Sequence, residues 1–455
     1  MQPARSPLLD LARSTDAAPY SGTLLRGWRE RALLTQEQLA ERAGLNVRTV
    51  RRMENGGLWQ PRTSSLLLLA QALELDGEER ALLAAVTRGQ PATGEGDEPA
   101  ACGPAIVPRQ LPADVAVLAG RERELAALVN DLGAGTGAGA GTGTGTGTGA
   151  GGVAGTGAGG VAVVAVEGMA GVGKTALAVH AAHRLAPRFP GGQLFVDLHG
   201  HARTTPPVEP GEALARLLRA LGVPGADVPG HLDDRAALYR SVLAERRVLV
   251  VLDDAADEHQ IHPLLPAGRD CRVIVTSRRR LSCLDEAASL PLDVLPPAAA
   301  VALFTRMAGP GRVAGVPREE LSEVVARCGL LPLAVRGAAA RLRAHATWSV
   351  RHLLERLAGD RLAELGAGRH DVAAALDLSC DRLSPEARRA YRLLGSRGGA
   401  GFGAGTAAAL LGTTPPRAER LLDQLLEAHL VQETAPGRYR LHDLVREHAA
   451  AQAAG

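Results

Sequence analysis

Val161-Ala162-Val163-Val164-Ala165-Val166-Glu167-Gly168-Met169-Ala170-Gly171-Val172-Gly173-Lys174-Thr175-Ala176 is the stretch from which the fold can be read. Apolar residues run unbroken from Val161 to Val166, the pattern of a strand buried on both faces. The residues after it complete G-x-x-x-x-G-K-T, and a helix-forming segment opens at Ala176. A strand that passes through such a turn into a helix makes a phosphate cradle. The glycines Gly168, Gly171 and Gly173 let backbone N–H groups turn inward, and the helix N-terminus adds partial positive charge. Lys174 would reach the outer phosphates as a point charge, and the Thr175 hydroxyl would hold Mg²⁺. Lys174 is also the single lysine among the 51 Lys and Arg residues of the chain. Arginine cannot imitate a compact ammonium in a tight cradle, so this lysine marks a function.

Working downstream, Gln193–Leu198, Arg247–Leu252 and Arg272–Val275 read as further buried strands. Helices near 174–187, 211–222 and 232–245 separate them. This alternation predicts a parallel, doubly wound sheet. The third strand runs into Asp253 and Asp254, at the carboxyl edge where such sheets bind ligands. There Asp253 would hold Mg²⁺ through water and Asp254 could orient an attacking water. The fourth is followed by Thr276-Ser277-Arg278, and Arg278 can touch a terminal phosphate and so tell ATP from ADP. From Pro296 to Leu365 the pattern is helical throughout. Beyond Val372, helices precede a strand-like pair at Leu430–Glu433 and Arg438–Leu441, which predicts a winged helix.

With 455 residues, three domains or so are expected. Hydrophobic residues at 46% and charged residues at 22% exclude wholesale disorder. Aromatic residues make up only 2%, which argues against a single-strand binder that stacks bases. At a net charge of +2, any affinity for nucleic acid must come from a local patch. The 5 cysteines never form C-x-x-C, against both a disulfide framework and a zinc site. No leader pattern and no membrane-spanning apolar run is present, so a cytoplasmic protein without membrane partners is expected. Residues 133–160 are Gly, Ala and Thr with one Val, a composition that predicts a flexible insertion. Gly155-x-Gly157-x-x-Gly160 formally matches a dinucleotide fingerprint but precedes its strand, so it is set aside.

Upstream, Thr23–Val86 is helical with breaks at Gly44, Asn55–Gly57 and Asp76–Gly77. Residues 89–116 read as a Pro- and Gly-rich linker. Within the helical part, T-Q-x-x-L-A-x-x-A-G-L from Thr35 to Leu45 is followed by x-x-V-x-x-M-E-N-G ending at Gly56. Two short helices joined through Gly44 would bury Ala40, Leu45, Val50 and Met53, with Asn46 capping the second. This resembles the Xre/Cro-type helix-turn-helix. The resemblance implies that Val47, Arg48 and Arg52 face base edges of double-stranded DNA, with Gln36 and Asn46 at the backbone. Arg48 and Arg52 are then the principal specificity residues, since Arg to guanine is the commonest specific contact in the major groove. Arg51 and Arg62 would touch phosphate or solvent.

Gly120-Arg121-Glu122, the phosphate loop, Phe195–Leu198, Leu252-Asp253-Asp254, Thr276-Ser277-Arg278, Cys328–Ala334 and Leu441-His442-Asp443 occur in that order. Together they resemble the NB-ARC module of the STAND class of P-loop ATPases. The resemblance implies ADP or ATP with Mg²⁺ as cofactors. It places Gly120 and Arg121 in the adenine-side loop, Pro332 against adenine, and His442 on the β-phosphate of ADP. Leu330 and Leu441 depart from the family's usual Gly and Met.

The predicted architecture is thus multidomain. An all-α helix-turn-helix bundle (20–88) precedes an α/β P-loop NTPase with a parallel sheet (117–295), a helical domain (296–370) and a winged-helix domain (371–450). The function expected is a DNA-binding transcription regulator, off with ADP and on with ATP, at most a slow ATPase, and self-associating in the ATP state. The alternatives are a turnover ATPase or kinase-like transferase, and a defence or signalling ATPase whose output is assembly. Family members usually carry sensor repeats after the winged helix, so a separate sensor or effector protein is a further expected partner.

Overall fold

A computed structural model of the chain describes residues 21–32, 34–43, 47–54, 69–70, 72–73, 75, 79–80, 107–115, 118–133, 162–202, 205–284, 287–366, 371–397 and 401–454. The chain divides into two compact units, 1–105 and 106–455. Most of the insertion read at 133–160 lies outside the described residues, as do Gly44, Leu45, Asn46 and Arg62.

In the first unit, α1 (Ser21–Arg31), α2 (Gln36–Arg42) and α3 (Val47–Glu54) close around Leu25, Trp28, Leu39, Ala40 and Val50, all buried. Thr35 starts α2 with a reciprocal cap. Its Oγ1 accepts from Gln38 N at 3.1 Å, and its own N donates to the Gln38 amide oxygen at 2.9 Å. Arg29 donates two hydrogen bonds to Glu54, 2.6 and 3.0 Å, and the Gln36 amide donates a third at 2.7 Å. One carboxylate therefore ties all three helices. Ala40 and Val50 sit in the seam expected from sequence; the Met53 side chain is outside the described residues.

The second unit is built on a five-stranded sheet, β1 (Ala162–Glu167), β2 (Gln193–Asp197), β3 (Leu249–Ala255), β4 (Arg272–Ser277) and β5 (Ala287–Pro291). Its order is β2-β3-β4-β1-β5 and every pairing is parallel. Alternation along β1 divides the core. Val164 and Val166 join one apolar cluster with α4 (Glu122–Gly133) and α5 (Lys174–Leu185), while Val163 and Ala165 join another with α6 (Pro210–Ala220) and α7 (Leu232–Leu243). A sheet covered on both faces needs just such apolar strands.

Several boundaries differ from the sequence reading. β3 does not stop at Leu252 but continues through both acids to Ala255, with an irregularity against β4 between Leu252 and Ala255. Asp254 takes a left-handed φ of 51° there, which sequence patterning cannot show. β5 was not foreseen, because Ala-Ala-Ser-Leu-Pro lacks an apolar run. Of residues 107–115, read as the end of a linker, 108–110 run beside β2. Arg109 bridges Gln193, and Gln193 N donates to Pro108 O at 2.7 Å.

After the sheet come α8 (Pro297–Ala308), α9 (Arg318–Arg327), α10 (Pro332–Ala344), α11 (Val350–Gly359) and α12 (Arg361–Leu365). The stretch is not helical throughout: 328–331 and 345–349 are turns. Arg312 fastens the second of these by donating to the carbonyls of Leu342, His345, Ala346 and Trp348 at 2.6–2.9 Å. Arg312→Ala should therefore lower the melting midpoint by several degrees, as two half-buried carbonyls, of Leu342 and Trp348, and two exposed ones lose a charged donor. An unchanged midpoint by calorimetry would refute this.

The last segment holds α13 (Val372–Cys380), α14 (Pro385–Arg397), β6 (Phe402–Gly403), α15 (Ala404–Leu411), α16 (Pro415–Glu427), β7 (Gln432–Ala435), β8 (Arg438–Arg440) and α17 (Asp443–Ala454). Its strands form a small antiparallel sheet in the order β6-β8-β7. No helix among the described residues is long and apolar enough to cross a membrane.

Candidate nucleotide site

At the carboxyl edge of the sheet, a cavity of about 450 Å³ opens between the β1–α5 turn, the ends of β2, β3 and β4, and α10. A cavity of this size suits a nucleotide-sized ligand. Gly173 caps α5 with φ 99°, a conformation in which a side chain would be strained, and Gly171 and Gly173 both line the cavity. Gly168 stands at the foot of the turn.

Lys174 is buried, and its Nζ donates to Gly168 O at 2.8 Å and Met169 O at 3.0 Å. Burial pushes its ammonium down to about 7, with the Arg278 charge adding and the Asp253 and Asp254 carboxylates opposing. An ammonium held this dry gains strongly from any polyphosphate that reaches it.

Asp253 is the hub of the oxygen ligands. It accepts from Thr175 Oγ1 at 2.8 and 3.0 Å and from Thr276 Oγ1 at 2.6 Å. Burial raises its pKa against these two hydroxyls, and neighbouring Asp197 and Asp254 raise it further. A hydroxyl and a carboxylate under such pressure form a hard-oxygen donor set that fits Mg²⁺. With the ion bound, Thr175 and Asp253 would hold it and it would supply charge neutralisation to the phosphates.

Asp254 turns away from Asp253. Its carboxylate accepts from His201 N at 2.8 Å, meets His201 Nδ1 at 3.2 Å and lies 3.4 Å from Arg278 Nε. Burial works to raise its pKa, but these partners outweigh it and hold it at about 2. Arg278 also donates to Ala375 O of α13 at 2.9 Å. The cavity is thereby linked directly to the last segment of the chain.

On the other wall, Arg121 is buried and donates to Glu124, to Val172 O at 3.2 Å and to Asp293 O at 2.5 Å. It lines the cavity and braces the phosphate loop from outside. Gly120 does not line it; its N–H donates to Glu122 at 3.3 Å. Pro332 opens α10 and lines the cavity, and Leu333 N donates to Gly171 O at 3.2 Å.

His442 is placed differently from the resemblance. Its Nε2 bonds Gly329 O at 2.9 Å, its Nδ1 accepts from Leu444 N at 3.3 Å, and it is not a lining residue of the cavity. Burial lowers its pKa, and these two bonds specify a neutral ring protonated at Nε2. Of the DNA-facing set, Gln36 is engaged with Glu54 and Arg51, Val47 is half-buried at the start of α3, and the side chains of Arg48 and Arg52 lie outside the described residues.

Sequence reasoning quoted Asp197, at the end of β2, within a motif but gave it no role, although its Cα faces that of Asp253 in register; it missed Arg336, which lines the cavity, and His201, which bonds Asp254. Arg336 had a usable signal, since it follows Pro332 by four residues and so shares its helix face. His201 had none, because it reaches Asp254 only through the β2–β3 pairing.

His429, just past α16, has φ 54° and a buried Nε2 without a partner among the described residues. Burial, then the Lys174 and Arg280 charges, pushes its ring down to about 3. The unfolded chain takes up this proton near pH 6.5 and the folded chain does not. The contribution of His429 is therefore intact above pH 6.5 and is lost as pH falls from there towards 3. His429→Asn, which tolerates the backbone, should flatten the fall in melting midpoint across that window; an equally steep fall would contradict the assignment.

Residues 22–83 match a helix-turn-helix domain and residues 156–313 the NB-ARC domain. Over 393 residues the chain is 44% identical to the regulatory protein AfsR of Streptomyces griseus, covering 84% of this chain and 38% of that protein. Against AfsR of Streptomyces coelicolor it is 43% identical over 346 residues, 76% and 33% of the two chains. The chain thus spans about a third of the length of these relatives. A signal transduction ATPase (STAND) protein with a tetratricopeptide repeat sensor, from Pyrococcus horikoshii, aligns over 75% of this chain and 44% of its own, with 18% identity and a TM-score of 0.34. The chain thus carries, in this order, a segment that matches a helix-turn-helix domain and one that matches the NB-ARC domain.

Proposed function

We propose that this protein is a nucleotide-switched, DNA-binding transcription regulator in which ADP favours a closed form and ATP with Mg²⁺ an open one. The observation that carries the reading is Arg278, which lines the nucleotide cavity and at the same time bonds Ala375 O in α13. A nucleotide shifts an equilibrium only by binding its two states unequally. A γ-phosphate that draws Arg278 inward would break the bond to Ala375, whereas ADP leaves it in place. The last segment, as a winged helix, would then loosen from the nucleotide unit and allow self-association. His442 would add to the closed form by holding the Gly329–Pro332 turn, and Pro332 would lie against adenine. Asp253, through Mg²⁺, and Asp254, positioning water, would permit slow hydrolysis that resets the switch.

The helix-turn-helix supplies the output. One such unit reads one half-site, so pairing in the ATP state raises occupancy on double-stranded DNA. Selection from random duplexes at low salt, run with ADP and with a non-hydrolysable ATP analogue, tests this. Enrichment of a two-half-site sequence, stronger with the analogue, is expected. Arg48→Ala or Arg52→Ala should weaken the selected site by about tenfold or more, the usual cost of a lost base contact. Retention of no duplex in either state, with growth in mass on ATP, would make assembly the output instead.

A further inference from the structure

Four cationic side chains line the nucleotide cavity, and three are already engaged by protein. Lys174 holds the carbonyls of Gly168 and Met169, Arg121 holds those of Val172 and Asp293, and Arg278 lies on Asp254 and Ala375 O. The fourth is Arg336. Its Nε is buried, and the guanidinium has no hydrogen bond or ion pair among the described residues. Charged donors facing a cavity without a partner are costly, and their retention calls for a ligand.

Its place on α10 says which part of a ligand it meets. Leu333, in the first turn, bonds the apex of the phosphate loop at Gly171, and Arg336 lies three residues on, on the same helix face. A guanidinium matches phosphate oxygens through its planar fork.

We infer that Arg336 is a nucleotide-binding residue, donated by the helical segment, that grips a phosphate oxygen of the bound nucleoside diphosphate. This rests on the nucleotide-site reading above and deepens it. Arg336 makes the ligand itself the tie between α10 and the phosphate loop, two elements otherwise joined there by the Leu333–Gly171 bond. Nucleotide loss then frees the helical segment, and with it the turn that His442 holds.

The test is calorimetric titration of the full chain with ADP, alongside melting midpoints without nucleotide. Arg336→Gln should bind ADP about tenfold more weakly or worse, the scale of one charged hydrogen bond. Its midpoint without nucleotide should match or exceed wild type, because the guanidinium has no partner among the described residues to lose. Arg336→Lys should recover part of the affinity, and Arg336→Met, which keeps the apolar stem, should repeat the loss if the Gln variant folds poorly. Wild-type ADP affinity in folded Gln and Met variants overturns the inference and leaves the nucleotide site standing. Failure of the wild-type chain itself to bind ADP removes both.

Discussion

Lys174→Ala should weaken nucleotide binding by about thirtyfold or more while leaving the protein folded. The ammonium sits where only two carbonyls satisfy it and where burial has pulled it down to about 7. In the ligand-free protein its removal relieves a desolvation cost, so the melting midpoint should hold or rise. With a polyphosphate in place, the same side chain makes charged hydrogen bonds in a dry setting. Losing one member of such a pair costs about 2–5 kcal/mol, or roughly thirtyfold to several thousandfold in affinity. Lys174→Arg should fare little better, since a planar guanidinium cannot occupy the gap between Gly168 O and Met169 O. Titration with ADP checks affinity, and the midpoint without ligand separates binding from folding. A Lys174→Ala protein that binds ADP as well as wild type would contradict this account of the cradle.

Gly329→Ala should be strongly damaging although it lies outside the cradle. Gly329 has φ 60°, and a Cβ built there would stand 2.4 Å from His442 Cε1 and 2.9 Å from its Nε2. Strain of about 1–3 kcal/mol from the backbone adds to the forced displacement of a buried ring. The turn it belongs to delivers Pro332 and α10 to the cavity, so stability and nucleotide retention should fall together. His442→Ala removes the ring without the backbone strain. It should cost less stability than Gly329→Ala but loosen ADP comparably, provided that His442 acts through this turn. If ADP dissociates from His442→Ala at the wild-type rate, the ring is a packing residue alone.

Much of this was legible in the sequence because local chemistry and fold coincide. The apolar run ending at Val166, the glycines after it and Lys174 all act within one strand–turn–helix, where spacing along the chain equals spacing in space. Asp253 was equally readable, being at the end of an apolar strand. The rest depended on long-range pairing. Asp197 reaches Asp253 because β2 and β3 pair in register, and Arg278 reaches Ala375 across 97 residues. Glu167 shows the same limit. It ends β1, yet it accepts from Leu281 N, in the segment after β4, and from Ser289 Oγ of β5, a strand that composition conceals. His442 was placed by motif order, which identifies the residue but not the atom it bonds.

The most direct measurement is the identity and amount of nucleotide carried by the wild-type chain, released by acid and resolved by ion-exchange chromatography. The account predicts about one ADP per chain, displaced by ATP only with Mg²⁺ and absent from Lys174→Ala. A purified chain that carries no purine nucleotide, and takes up neither ADP nor ATP when offered them, would contradict it.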